Sequence, residues 1–246
     1  MKNLNSNFGK LKVSQSQKTK MVQNVFTEVT KKYNLMNDLM SFGMHRLWKK
    51  RIVQLMNIQS NDFIVDVGTG TGDIANLIEK NYSKVSIVAL DLNFKMLQHG
   101  KGGMKYKSNK ITWVNCNAEY LPFTKNTFDK YIISFCLRNV THINNALYEA
   151  LRVLKPGGSF YCLEFSAPMT NSVNRFYNFY KSKVIPLIGS RIAKNLKAYK
   201  YLEESINQFP NQSTLLSKLN KVGFKNTSVI NLFDGIVAIH KGFKVL

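Results

Sequence analysis

A chain of 246 residues, 44% apolar and 20% charged, has room for one sizeable core and the composition of a folded globular protein. No apolar run approaches the length of a membrane span, and the polar first twenty residues carry no secretory signal and, with the first arginine at Arg46, no Arg-rich transit peptide. The net charge of +21 admits nucleic acid or anionic lipid as a partner, but only six of the 35 basic residues are arginine and the lysines are spread along the whole chain, which argues against a phosphate-reading surface and reads first as a solvated lysine-rich surface, one whose field would still draw the chain to an anionic membrane surface.

Residues 1–17 are too polar to fold alone and read as a disordered leader. Val22, Val25, Phe26, Val29 and Tyr33 then recur at helical spacing, so Lys18 to Asn34 reads as an amphipathic helix. His45 to Met56 reads as a second helix, with a stretch of mixed pattern over Asn34 to Gly43 between them. From Asp62 the pattern becomes strands alternating with helices: strands at Phe63–Val67, Val85–Leu90, Ile111–Val114, Lys130–Ser134 and Ser159–Leu163, helices at Asp73–Lys80, Lys95–Met104 and Asn144–Leu154. Such alternation gives a parallel sheet covered on both faces. An aromatic segment, Val173 to Ile188, and a helix at Leu215–Val222 follow. The chain closes on strands Thr227–Phe233 and Ile236–Lys241 around an Asp234-Gly235 turn, a strong hairpin signal. The expectation is an α/β, doubly wound, seven-stranded sheet with a helical N-terminal cap and a C-terminal hairpin. One domain, 18–246, divides into a cap (18–60), a core (61–165), a helical substrate-side segment (166–222) and a closing hairpin (223–246).

The first strand runs into Asp66-Val67-Gly68-Thr69-Gly70-Thr71-Gly72-Asp73. Glycines let a strand-to-helix turn approach a ligand closely. The dinucleotide fingerprint needs a glycine five residues after Gly68, where this chain has Asp73, an anion where a pyrophosphate would lie. The loop therefore suits a cationic, phosphate-free ligand such as S-adenosylmethionine. The second strand ends at Asp91, which can accept both ribose hydroxyls. Asn117-Ala118 after the third strand suits an adenine edge, and the fourth strand ends at Ser134-Phe135. All four lie at carboxyl ends of strands, where open α/β sheets bind ligands. The isolated Cys116, Cys136 and Cys162 and the four histidines show no metal-ligand or disulfide spacing, so metal-free chemistry is expected.

The order DVGTGTGD, ALDLN, NAEYLPF and LRVLKPGG resembles class I S-adenosylmethionine-dependent methyltransferases. The longer strings from Tyr33 to Trp48, Ser134 to Val140 and Tyr199 to Ile206, with Phe209-Pro210, resemble the ubiquinone/menaquinone biosynthesis C-methyltransferase family, over about Phe8 to Phe243. The leader is similar to the ubiquinone-making bacterial branch. The resemblance implies methyl transfer to a ring carbon of a polyprenyl benzoquinol or naphthoquinol, at the inner, cytoplasmic face of a membrane and beside other enzymes of quinone biosynthesis. It implies cofactor contacts at Thr71, Asp91, Asn117, Ala118 and Ser134, joined by Asp66, Gly68 and Gly70 of the glycine loop. Arg138 and Asn139 are the first candidates on the quinol side, with Tyr33, His45 and Tyr199 behind them. A purely structural Arg138 would pair with a carboxylate such as Glu164. Asn34 and Cys136 depart from the family pattern, where Asp and Gly are common. A nucleic-acid methyltransferase would welcome the charge, but the segment after the fourth strand has no proline. A non-catalytic binding subunit would be expected to have lost Arg138 and Asn139.

Overall fold

A computed structural model describes residues 6–103, 109–180, 184 and 196–245. Seven strands form one sheet in the order β5-β4-β3-β6-β7-β9-β8. These are β3 (Phe63–Val67), β4 (Ser86–Asp91), β5 (Ile111–Asn115), β6 (Phe128–Ser134), β7 (Leu154–Phe165), β8 (Lys225–Leu232) and β9 (Val237–Phe243). The first five are parallel, and β9 runs antiparallel to both of its neighbours. The chain steps outward from β3 to β4 and β5, then crosses back to place β6 on the other side of β3. That reversal opens a crevice at the carboxyl ends of the central strands, the ligand position of open α/β sheets.

Burial on both faces explains why the central strands β3 and β4 are mostly apolar. Val65, Val67, Tyr131 and Ile133 face one core with helix α6 (Ile143–Val153) and helix α9 (Gln212–Val222). Ile64, Ile132 and Leu163 face the other, with α3 (Met44–Leu55) and α4 (Asp73–Asn81). A third cluster joins Val29, Met36 and Met40 of the N-terminal cap to Ala198, Tyr199, Leu202 and Ile206 of α8 (Leu196–Gln208).

The N-terminal region departs most from the sequence expectation. Residues 6–13, expected to lack order, form a small antiparallel hairpin of β1 (Ser6–Phe8) and β2 (Leu11–Val13). It is docked on α8: the Phe8 ring stacks on Tyr201 at 4.4 Å, and the Lys10 N–H donates to Glu204 at 3.0 Å. Helix α1 (Gln15–Val29) begins three residues earlier than expected, because Ser14 and Gln17 close a reciprocal capping box. It does not run through to Asn34. A short 3₁₀ turn at Thr30–Lys32 separates it from α2 (Tyr33–Ser41), which occupies the stretch of mixed pattern. Phe42 (φ 49°) and Gly43 (φ 74°) then break the helix before α3.

Helix α5 spans Phe94–Gly102; Met104, the expected end, lies outside the described residues. Within the aromatic segment α7 covers Asn171–Phe179, and residues 181–183 and 185–188 lie outside the described residues. The closing turn is longer than the two residues expected. Phe233, Asp234 and Gly235 all take positive φ, and the Asp234 carboxylate accepts from the Thr170 N–H and hydroxyl at 3.0 and 2.9 Å. That bond ties the hairpin tip to the start of α7.

Candidate active site

The glycine loop takes left-handed backbone at each alternate residue: Gly68 (φ 66°), Gly70 (φ 59°) and Gly72 (φ 82°). Crowding adds to the conformational reason for glycine. A Cβ on Gly68 would lie 2.1 Å from Cys136 Sγ, and one on Gly72 would lie 2.4 Å from the Trp113 ring. Asp66 fastens the loop from below. Its buried carboxylate accepts the Thr69 hydroxyl at 2.5 Å and the Ala75 N–H, and burial pushes it up to about 7.

A cleft opens above this loop. Gly68, Gly70, Asp91, Asn117, Ala118, Cys136 and Asn139 line it. Asp91 Oδ2 accepts the Gly70 N–H at 2.8 Å and Oδ1 accepts the Asn93 N–H at 2.7 Å, with the Leu92 N–H also directed at the carboxylate. Burial raises the Asp91 pKa against these bonds. The roof is α1, through Thr19, Val22, Gln23 and Phe26. It is latched down by Asn93, whose Nδ2 donates to Gln23 O and Thr27 Oγ1, both at 2.9 Å, and by Lys18, whose Nζ donates to Val140 O at 2.8 Å.

In a chain of net charge +21 the cleft lining contains, among the described residues, no Lys or Arg, but it does contain the carboxylates Asp91 and Glu119. This donor and acceptor set fits a cationic sulfonium with a ribose diol and repels a pyrophosphate. Asp73 plays no part in that repulsion. It is turned to Lys49 at 2.6 Å and does not line the cleft.

A second cavity adjoins the first, and Phe26, Tyr33 and Phe135 line both. Its other walls include Val25, Met36, Met40, Phe165 and Leu202, with His45, Arg138 and Tyr201 among the polar groups. His45 Nε2 lies 2.8 Å from Asp38 Oδ1. Arg138 is buried against Glu164, with Nη1 donating to Oε1 and Oε2 at 3.0 and 2.9 Å and to Phe135 O at 2.7 Å. The pairing that would make it structural is therefore present, on the wall of the cavity. Asn139 reaches from the first cleft to accept the Tyr201 hydroxyl at 3.0 Å.

Several expected contacts fall elsewhere. Thr71 is buried, its hydroxyl turned to Asp73 at 3.4 Å. Asp66 lies beneath the loop, and the Ser134 hydroxyl is buried without a partner among the described residues; none of the three lines the cleft. Tyr199 is fully buried in the cap core and lines neither cavity. The reason is helical phase: Ala198, Tyr201 and Leu202 fall on the face of α8 that lines the second cavity, whereas Tyr199 and Ile206 pack into the cap core. The sequence marks the segment but not Tyr201 within it. Asn34 is exposed and lines neither cavity, whereas Cys136 fills the space beside Gly68. Burial holds the Cys136 thiol above its ordinary value, which removes it as a nucleophile.

A model of the ubiE/COQ5 methyltransferase family matches residues 12–244. A ubiquinone/menaquinone biosynthesis C-methyltransferase UbiE from Rickettsia prowazekii is 45% identical over 98% of this chain and 99% of its own length. Its namesake from Caulobacter vibrioides is 42% identical over the whole of both chains. Among solved structures, a SAM-dependent methyltransferase from Thermotoga maritima superposes with a TM-score of 0.64 at 18% identity, covering 90% of this chain and 99% of its own. Phosphoethanolamine N-methyltransferase 2 from Haemonchus contortus, solved with S-adenosyl-L-methionine, gives 0.60 at 14% identity over 81% of this chain and 52% of its own. These two likenesses concern the fold.

Proposed function

The chain belongs to the ubiE/COQ5 methyltransferase family and is an S-adenosylmethionine-dependent methyltransferase, and on that premise we propose that it methylates a ring carbon of a polyprenyl benzoquinol or demethylnaphthoquinol. The observation that carries this reading is the apolar second cavity, joined to the cofactor cleft through Phe26, Tyr33 and Phe135. A flat aromatic ring there can lie within reach of the cleft while its tail follows the Met and Leu side chains.

S-adenosylmethionine supplies an electrophilic methyl group when bound. Asp91 would accept the ribose hydroxyls, Asn117 and Ala118 would border the adenine, and Gly68 and Gly70 would let the backbone approach the amino acid end. On the quinol side we assign Tyr33, Arg138 and Asn139, with Tyr201 in the place first given to Tyr199. Orientation of the ring alone can be worth roughly 7–11 kcal/mol of the barrier. The test is methyl transfer from isotopically labelled cofactor to a short-chain prenyl 6-methoxy-1,4-benzoquinol, with the product resolved by NMR. A new ring C–methyl supports the reading; an O-methyl product, or label transferred only to nucleic acid, overturns it.

A polyprenyl tail gains about 0.8 kcal/mol per buried CH₂, so the substrate stays in lipid and the enzyme must approach the bilayer. Among the described residues no helix is long and apolar enough to cross a membrane. The proposal is peripheral attachment at the cytoplasmic face, driven by the net charge of +21. Binding to anionic liposomes is expected to weaken as salt rises, since the Debye length is about 8 Å at physiological ionic strength. Equal sedimentation with neutral liposomes, or none with either, counts against it.

A further inference from the structure

The substrate's tail holds it in lipid, yet attraction between charges alone would leave the chain resting on the headgroups. We propose that an aromatic rim beside the second cavity, centred on Phe42 and Phe233, inserts into the bilayer and seats that cavity against the acyl chains; the proposal rests on the quinol reading above.

Two turns supply the centre of the rim. Phe42 ends α2 with φ 49°, and Phe233 opens the closing turn with φ 50°. Left-handed backbone crowds the Cβ of any L residue, and for a large side chain it is a genuine outlier. Glycine or asparagine would fill either place at lower cost. Burial does not offset that cost, because Phe42 is 75% exposed and Phe233 56%. Phenylalanine therefore stands at two turns where local conformation and water both disfavour it. Strain kept at exposed apolar positions points outward, to something the rings meet beyond the chain.

Helix α7 joins the two turns. Its N-terminal end is fastened to the hairpin tip, where Thr170 donates to the Asp234 carboxylate and the Met169 N–H donates to Asp234 O at 2.7 Å. Just past its C-terminal end, Tyr180 packs on Phe42 with ring centroids 5.6 Å apart and donates its hydroxyl to Met40 O at 3.1 Å. At about 1.5 Å per residue, the helix spaces the two turns by roughly 15 Å. Met169 and Phe176 lie along that line and are also exposed. The rim adjoins the second cavity at both ends. Met40, Ser41 and His45, which bracket Phe42 in the chain, line that cavity. Trp48 touches Phe233 at 5.9 Å and, at 6.2 Å each, Phe135 and Phe165 of the cavity wall. With the rim in the bilayer, a prenyl tail can pass between lipid and cavity without crossing water.

Charge selects lipid as the occupant. The elements that carry the rim also carry exposed basic side chains, Arg46, Lys50 and Arg51 on α3 and Arg175 on α7. The carboxylates of α2 and the closing turn are occupied, Asp38 by Arg46 at 2.7 Å and Asp234 by Thr170. From Phe165 to Leu202 the sequence holds seven basic residues and no acidic one. Such a surround complements anionic headgroups while the rings sit below them. A second copy of the chain would bring the same positive charge against itself.

The test uses the full chain and vesicles of phosphatidylglycerol and phosphatidylcholine, free of quinol. In Phe42→Trp and Phe233→Trp, fluorescence in excess of the parent's Trp48 and Trp113 is expected to shift blue on vesicle binding. Lipid brominated on its acyl chains should quench it. Tyr148→Trp, at an exposed position on α6 across the sheet, should show neither effect. The double variant Phe42→Asn/Phe233→Asn should weaken vesicle partitioning by about a hundredfold, roughly tenfold for each ring withdrawn from the bilayer. Asparagine tolerates left-handed backbone, so its thermal midpoint should hold or rise. Its kcat on the short-chain quinol in solution should match the parent's. Unquenched tryptophan at both turns, or unchanged partitioning of the double variant, would overturn the proposal. So would a dimer of the parent that the double variant abolishes, since the rim would then face a second copy. If the tryptophans are quenched but the parent methylates no quinol, the functional reading fails and the seating stands. Methylation of the short-chain quinol without quenching leaves that reading intact and removes the seating.

Discussion

Asp91→Ala is expected to weaken S-adenosylmethionine binding by about a hundredfold or more, read by calorimetry, with the fold retained. A hydrogen bond to a charged acceptor is worth about 1.5–3 kcal/mol, and every 1.4 kcal/mol is tenfold in affinity. Two ribose hydroxyls on one carboxylate therefore make this the largest cofactor effect available from a single side chain. The Gly70 and Asn93 N–H groups now on Asp91 would turn to water in the open cleft, so helix content should hold. Asp91→Asn keeps the shape and one acceptor, and should fall between the two. A pH dependence comes with it. Because burial raises the Asp91 pKa, cofactor affinity in the parent should decline as pH falls through that raised value. Protonation removes both charge and acceptor, and above that pH affinity should be flat. In Asp91→Ala the acid-side decline should be absent. Unchanged affinity in the variant would remove Asp91 from the ribose.

The strands were legible in the sequence because both faces of the sheet are covered. Runs such as Phe63–Val67 are apolar but for Asp66 and lead into glycines, a signal that needs no tertiary information. The cofactor cleft was legible for the same reason, since Gly68, Gly70, Asp91, Asn117 and Ala118 all sit at strand ends. What could not be read was whatever depends on contacts distant in sequence. Residues 6–13 are polar and gain order only against α8, about two hundred residues away. Helix α1 gave the right period, but nothing in it said that Thr19, Val22, Gln23 and Phe26 would roof the cofactor. The bonds holding it down come from Asn93, which also caps α5. Asp38 was invisible as a partner of His45 because its stretch lacked a clean period. Tyr199 differs for another reason: the family likeness marks the whole segment, and only the packing of α8 puts Tyr201 on the cavity wall and Tyr199 in the cap core.

Arg138→Ala is expected to lower both stability and turnover, and the structure separates the two. The guanidinium and Glu164 carboxylate are 6% and 1% exposed, so the pair is buried in full. Removing one partner of such a pair strands a charge and typically costs about 3–5 kcal/mol. In a domain this size each kcal/mol moves the thermal midpoint by about 2–4 °C, so the single variant should melt roughly 6–20 °C lower. Glu164→Gln, which strands the cation instead, should fall in the same range. The double variant Arg138→Ala/Glu164→Gln removes both charges and should recover much of the loss, as a coupled pair requires. Turnover then isolates the catalytic share. If the guanidinium also steadies the developing phenolate, kcat in the folded double variant should stay about 10²–10³ below the parent, the scale of one transition-state donor. Arg138→Lys keeps a charge for Glu164 and should rescue the midpoint more than kcat, because a point charge cannot copy the planar fork. Nη1 is already committed to Phe135 O and Glu164, so a quinol oxygen would have to draw on Nη2 or on Nε, which is buried without a partner among the described residues. A double variant that regains the parent's kcat along with its midpoint would make Arg138 a purely structural ion-pair partner on the cavity wall.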